Sequence, residues 1–252
     1  MTNMPHKISG ALEDPYDPRD QKLSFGLLKI LSLPVSVDLR NKFTHITDQA
    51  DINSCTGNGL AAAYEAAYMA KYHMALDVSR LFIYYNERVL EGSVNSDNGA
   101  FIRDGIKTLA NQGVCTEDLW PHDQAHLYSK PSDAAVKDAL RKRILRYQRI
   151  NNDLNVTKAV IAGGNGVVVG IKVYAGFLSE AVAKTGIVSM PLPNEELLGG
   201  HCVVLLGYEP GYFWVRNSWG TSWGIGGYFK IPSAYIAEPY LCQDMWAITG
   251  IM

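Results

Sequence analysis

The chain has 252 residues, 47% of them hydrophobic, 10% aromatic and 19% charged, the composition of a globular protein able to bury a sizeable core. With 23 Lys and Arg against 25 Asp and Glu, its formal net charge of −2 excludes the basic field that holds nucleic acid or an anionic membrane. The longest apolar runs, such as 167–171 and 203–206, fall well short of the roughly 18 residues of a spanning helix. The opening MTNMPHKISGALEDPYDPRD lacks the basic start, apolar stretch and small-residue cleavage site of a Sec-type signal, so cytoplasmic synthesis is the default expectation and any secretion would be signal-independent.

In chain order, the first thirty or so residues read as a separate arm. Asp14-Pro15, Asp17-Pro18, Arg19 and Asp20 favour turns and extended chain, and a short apolar run follows at 25–33. After a polar loop through Asp51, a long helix is predicted from about Cys55. There Leu60, Ala63, Tyr64, Ala67, Tyr68 and Lys71 recur at helical intervals, and Asn53 or Ser54 is placed to cap the N-terminus. Helical patterns follow at 79–90 and at 100–111, the latter ending in Gln112-Gly113. Beyond Ile150 the pattern changes to β-branched and aromatic runs bounded by glycine, VVVGIKVY, CVVLLGY, YFWVRN and GYFKI, which predict strands. Helices first and strands later argue for an α+β protein in two lobes. Gly163-Gly164-Asn165-Gly166 leads into a strand and reads as a turn, not a phosphate loop.

The four cysteines, Cys55, Cys115, Cys202 and Cys242, contain no CxxC pair and read as reduced thiols, with no zinc ribbon or finger among them. His122 and His126 have helical metal-site spacing, but Asp123 and Pro121 break the pattern, and both read as surface histidines. No metal and no organic cofactor is expected.

Cys55 stands at the opening turn of a long helix, where free N–H groups and the macrodipole favour a thiolate, the form that attacks carbonyls. Gly199-Gly200-His201 opens a later strand and offers an imidazole as base. Asn217, in Arg216-Asn217-Ser218-Trp219-Gly220, offers an amide to fix its tautomer and an indole to shield it. The order Cys, His, Asn, with the histidine about 150 residues downstream, is that of one known group of thiol hydrolases.

The stretch Thr47-Asp48-Gln49-Ala50-Asp51-Ile52-Asn53-Ser54-Cys55, the Gly199-Gly200-His201 element and the block Asn217-Ser218-Trp219-Gly220-Thr221-Ser222-Trp223-Gly224 resemble the papain-like cysteine peptidases of the C1 family. The resemblance covers about 33–252. It is strongest to a short bacterial branch, with Ser-Cys-Thr at the nucleophile and an S-R-L-F-x-Y-Y-N-x-R helix matched by 79–88. It implies a papain-like fold with a helical lobe at about 45–150, a β-rich, barrel-like lobe at about 150–252 and a cleft between them. It also implies Cys55 as nucleophile, stored as an ion pair with His201, with Asn217 orienting the imidazole, Trp219 covering that bond and Gln49 in the oxyanion hole. The substrate would be an extended polypeptide paired with Asn98, Gly99 and Ala100 and running past Gly200. Asp244 would stand at the base of a specificity pocket and favour a basic side chain.

Three departures stand out. Ile52 replaces a family cysteine, Asn53 a glycine and Thr56 an aromatic, so the usual neighbouring disulfide cannot form and the cleft floor changes. Cys202 would face away from His201 into the core. The segment 1–32 is too short for the family's helical propeptide, yet its composition suits an extended plug across the cleft, a means of self-inhibition. The expected activity is an endopeptidase; the other readings are a different thiol acyl transfer, by a transpeptidase or deamidase, and a binding module on a protease-like scaffold.

Overall fold

The computed structural model describes residue 8 and residues 10–23, 32–43 and 45–252; most of the apolar run at 25–33 lies outside them. Helices α1 (Cys55–Tyr72), α2 (Arg80–Glu91) and α3 (Ile102–Asn111) form one side of the molecule. The other side is a sheet whose main strands are β5 (Ile144–Ile150), β6 (Val167–Tyr174), β7 (Leu197–Glu209), β8 (Tyr212–Arg216), β9 (Tyr228–Pro232) and β10 (Cys242–Ile251). The arm adds two short strands, β1 (Ala11–Leu12) and β2 (Lys22–Leu23). The sheet order is β2-β5-β10-β6-β7-β8-β9, with β3 (Val37–Asp38) paired to β7 and every main pairing antiparallel. This is an α+β, papain-like two-lobe fold.

The predicted helix at Cys55 forms, but it is not amphipathic over its first thirteen residues: every one from Cys55 to Ala67 is buried. A helix covered on all sides belongs in an interior, and α1 runs between α2 and α3 on one side and β6, β7 and β10 on the other. That position explains its small residues. A Cβ on Gly59 would come 2.8 Å from the Cys202 sulfur, and one on Gly57 would overlap the Arg80 carbonyl. Helix α2 starts where a cap demands it, with the Ser79 hydroxyl accepting from Phe82 N–H, a bond worth about 1 kcal/mol, and it ends at left-handed Gly92.

The four predicted strand runs fall in β6, β7, β8 and β9. The uninterrupted apolar run of β7 reflects burial on both faces, by α1 and by α5 (Leu154–Ala162). Strands β5 and β10 and helix α5 were not expected. Arg, Gln and Tyr in β5 break its apolar pattern, and β10 carries a bulge at Gln243–Trp246 that interrupts period-two alternation. No helix among the described residues is long and apolar enough to cross a membrane.

Candidate active site

Cys55 is the first residue of α1 and fully buried. Its sulfur accepts a hydrogen bond from the Cys202 backbone N–H at 3.3 Å, which sets it against the residue next to His201 on β7. The Cys202 side chain lies on the other face, against Gly59 of α1, as strand alternation predicts. His201 Nε2 meets Asn217 Oδ1 at 2.8 Å, and that oxygen also accepts the Ser218 N–H at 2.9 Å. Two donors on one atom fix the Asn217 amide and leave Nε2 carrying the imidazole proton. Trp219 stacks on the imidazole, with centroids 4.7 Å apart and planes at 24°, and is itself braced edge-on by Trp223 and Phe177.

Gln49 is buried, with its side-chain amide donating to the Ile52 carbonyl at 2.9 Å and accepting from Ser218 Oγ at 2.7 Å. A bridge between Asp48 and Trp219 and the bond Gly220 N–H to Thr47 O at 3.0 Å stitch this loop to the Asn217 loop. The loops carrying Gln49, Cys55, His201 and Asn217 therefore meet across the line between the lobes.

The N-terminal arm crosses that line. Strand β1 pairs in parallel with β4 (Ala100–Phe101), and Ala100 N–H donates to Gly10 O at 3.0 Å. A Cβ on Gly10 would come 2.7 Å from the Cys55 sulfur, one on Gly99 would come 2.5 Å from Gly10 O, and one on Gly200 would overlap Ala11 O. Gly99 also has a φ of +86°, which disfavours any side chain. The arm thus passes over the sulfur with Gly99 and Ala100 on one side and Gly200 on the other. Asn98 is exposed on the loop before them. Beside Leu12 a cavity of about 190 Å³ remains, walled by Ile171, Gly200 and Asp244.

Beyond the crossing, the arm is held by charge. Asp14 is buried, its carboxylate accepting from Arg103 N–H at 3.0 Å, Trp246 Nε1 at 3.2 Å and Arg149 Nη1 at 3.3 Å. Asp14 N–H donates to Asp244 Oδ2 at 2.8 Å, while the other Asp244 oxygen is bound by Arg149 Nη2. Asp20 receives Arg103 at 2.7 Å and Arg149 at 3.2 Å. The basic partner that Asp244 was expected to take from a substrate is here supplied by Arg149 of the same chain. Asp244 reaches it because it sits in the β10 bulge with φ +51°, which turns its carboxylate inward.

Burial governs the electrostatics. It pushes the Cys55 thiol up to about 12, against the N–H groups of Cys202, Thr56 and Cys55 that pull it down. With the arm in place burial favours the neutral thiol, so desolvation opposes both the thiolate favoured by the helix N-terminus and the ion pair that the resemblance implies. Burial likewise raises Asp14, and raises Asp244 to about 6 with the neighbouring Asp14 charge adding to the effect.

Two expectations about the helix start are corrected. Ser54 holds the N-cap position yet makes no capping bond, its backbone lying at φ −91°, ψ 25° instead of extended, and its hydroxyl meets His122 Nε2 at 2.8 Å and Asn58 Nδ2 at 3.1 Å. Asn53 points elsewhere, its N–H and side-chain amide both bonded to Asp97, which Tyr84 also holds at 2.8 Å. Hence Asn53 ties the Cys55 loop to the Gly99 loop. Nor is His122 a free surface histidine; only His126, stacked on Trp120, lies at the periphery. The roles of Asp97, Tyr84, Asp14 and Arg149 had no sequence signal, since each depends on a partner far away in the chain.

A model of the papain family of cysteine proteases matches residues 33–242. A peptidase C1-like protein of Acanthamoeba polyphaga mimivirus is 39% identical over 238 residues, covering 90% of this chain and 74% of the viral one. Ananain of Ananas comosus is 27% identical, over 89% of this chain but only 63% of its own length. Among solved structures, xylellain, a cysteine protease from Xylella fastidiosa, superposes with a TM-score of 0.90 at 37% identity, over 97% of this chain and 96% of that one. The chain belongs to the papain family and is a cysteine-type peptidase.

Proposed function

We propose that the protein is an endopeptidase acting through Cys55, His201, Asn217 and Gln49, and that its own N-terminal arm covers the cleft until displaced. The observation that carries the reading is the extended strand Gly10–Leu12 lying over the Cys55 sulfur, paired through its backbone with Ala100. A groove that takes one polypeptide by backbone pairing is suited to another of any sequence.

Displacing the arm readmits water, lowers the thiol toward its ordinary range and lets the Cys55 proton pass to His201. The thiolate then attacks the scissile carbonyl: an S–C bond forms and the π pair moves onto oxygen, where the Cys55 N–H and the Gln49 amide donate. As the tetrahedral intermediate collapses, the C–N bond breaks and the amine leaves with the proton from His201. Water, deprotonated by His201, attacks the thioester, and the sulfur leaves and is reprotonated. Asn217 keeps Nε2 protonated so that Nδ1 does the exchange, and Trp219 keeps water from that bond.

Treatment of the full chain and of Cys55→Ala with an epoxysuccinyl probe under reducing conditions, followed by peptide mapping, tests the reading. A single adduct on Cys55, faster in Arg149→Ala than in the unaltered chain, is expected. Absence of both adduct and peptide hydrolysis in Arg149→Ala would overturn it.

A further inference from the structure

Helix α2 carries the S-R-L-F-x-Y-Y-N-x-R sequence over 79–88, and part of its surface is directed at the loop that leads to β4. Tyr84, Arg88 and Glu91 follow one another at helical spacing and so share one face of the helix. The Tyr84 hydroxyl accepts the Gly99 N–H at 3.2 Å and donates to Asp97 Oδ1 at 2.8 Å. Glu91 Oε1 accepts the Phe101 N–H at 2.9 Å. Arg88 is fully buried and spans the loop. Its guanidinium donates to the carbonyls of Val94 and Ser96 at 3.1 and 3.0 Å and lies over the Tyr84 ring, 4.2 Å from the centroid. Asp97 in turn accepts the Asn53 N–H at 3.1 Å, which joins the loop to the turn before Cys55.

These bonds alternate along the chain. Gly99 and Phe101 send their N–H groups to α2, and Ala100, between them, sends its own to Gly10 O at 3.0 Å on the cleft side. Successive N–H groups of an extended strand point to opposite edges, so one edge of β4 is spoken for by the helix and the other is left to the cleft. Among the described residues β4 pairs with no strand other than β1. When the arm leaves, the edge therefore loses its strand partner, and a strand of two residues has no sheet to keep it extended. The acceptors on α2 stay behind, because they belong to the body and not to the arm.

We propose that Tyr84 and Glu91 are positioning residues for the substrate: by taking the two N–H groups on the far side of the edge, with Arg88 fixing the loop that carries it, they keep Ala100 facing the cleft after the arm has gone, so that an incoming backbone can pair with it. The inference rests on the endopeptidase reading of the site, in which a peptide replaces the arm on Ala100. It gives α2 a part in binding substrate that does not pass through the Cys55 sulfur. Its effect is confined to ligands long enough to reach Ala100, and a reagent that approaches the sulfur alone does not sense it.

The test compares two reagents on the full chain, each read by peptide mapping of Cys55: iodoacetamide, which has no backbone to pair, and an epoxysuccinyl dipeptide, whose backbone extends along the cleft to Ala100. Opening of the arm precedes both reactions, so the ratio of their rates does not depend on how tightly the arm is held. In Tyr84→Phe, which keeps the buried ring and loses the acceptor, the ratio of dipeptide to iodoacetamide rate should fall about tenfold, the loss of roughly one hydrogen bond. Glu91→Leu should lower it by a similar factor, and Glu91→Gln, whose Oε1 still accepts from Phe101, should keep it within about twofold of the unaltered chain. The Glu91 pair decides the matter if Tyr84→Phe does not fold. A purely structural role would slow both reagents alike and leave the ratio where it was. An unchanged ratio in either folded variant, Tyr84→Phe or Glu91→Leu, or an equal fall in Glu91→Gln, overturns the inference and leaves the catalytic reading standing. Labelling of Cys55 by neither reagent, in the unaltered chain and in Arg149→Ala alike, overturns both.

Discussion

The N-terminal arm is held in two places by two kinds of force. From Gly10 to Leu12 it is nearly featureless chain: a glycine at the sulfur, backbone pairing with Ala100, and glycines opposite it on both lobes. From Asp14 to Asp20 it is held by side chains, the two carboxylates of Asp14 and Asp20 shared between Arg103 and Arg149, with Asp244 of β10 as a third partner of Arg149. The first region occludes and the second retains. Backbone pairing is nearly blind to sequence and so resembles what a substrate offers, whereas the charged cluster is specific to this segment and gives the arm its advantage over a passing peptide.

The comparison can be broken or sharpened by experiment. The largest effect is expected from Cys55→Ala, which should reduce peptide hydrolysis by about 10⁴-fold or more while the arm stays in place, since removing a nucleophile leaves only binding and the oxyanion hole. Residual turnover above that level in a chromogenic peptide assay would place the chemistry elsewhere. Arg149→Ala comes next. It strips the shared cation from two buried carboxylates and should weaken closure by about 2–3 kcal/mol, raising probe labelling of Cys55 by about 10²-fold. Equal labelling before and after would mean that charge does not retain the arm.

Gly10→Ala attacks the other region. A Cβ there meets Asn53 O at 2.5 Å and the sulfur at 2.7 Å, so the arm must shift at a cost of about 1–2 kcal/mol, and labelling should rise about tenfold. If Gly10→Ala instead protected the thiol better, the arm would not lie over it in solution.

The smallest effect concerns pH. Because burial raises Asp14, and raises Asp244 to about 6, above the ordinary 3.8, the closed form holds protons more readily than the open one. Closure is therefore favoured fully below the ordinary value and loses that advantage as pH rises through about 6. Protection of Cys55, normalised to the intrinsic thiol reactivity, should fall a few-fold across that window and become flatter in Asp244→Asn. Protection that increased with pH would reverse the sign and remove the proton-linked account.

Much of this was legible in the sequence where local chemistry decides the outcome. Cys55 at a helix start, the glycines before His201 and the Asn217-Ser218-Trp219-Gly220 block are short-range patterns, and the elements they sit on follow from composition, alanine-rich for α1 and β-branched and aromatic for β7 and β8. The cap of α1 was misread because propensity places Ser54 and Asn53 at the N-terminus, while the Ser54 backbone is not extended as a cap requires and a tertiary partner, Asp97, claims the Asn53 side chain. Strand β10 was missed because its bulge at Asp244 breaks the alternation a strand needs to be recognised. An extended plug was conceivable from the prolines and aspartates of the arm. Its seat was not, because Arg149 and Asp244 are more than a hundred residues away and lie on strands whose pairing only the fold determines.

One further consequence lies in β2. Lys22 and Leu23 pair in parallel with Arg149 and Ile150, and Gln21 O accepts the Arg149 N–H at 2.8 Å, so the far end of the arm is also the outermost strand of the main sheet. A cut ahead of Gln21 that released the segment before it would uncover the Cys55 sulfur yet leave that strand in register. A cut after Leu23 would bare the hydrogen-bonding rim of β5, the kind of exposed strand on which separate molecules stack. Where the arm is severed would then determine whether the released enzyme stays dispersed or self-associates.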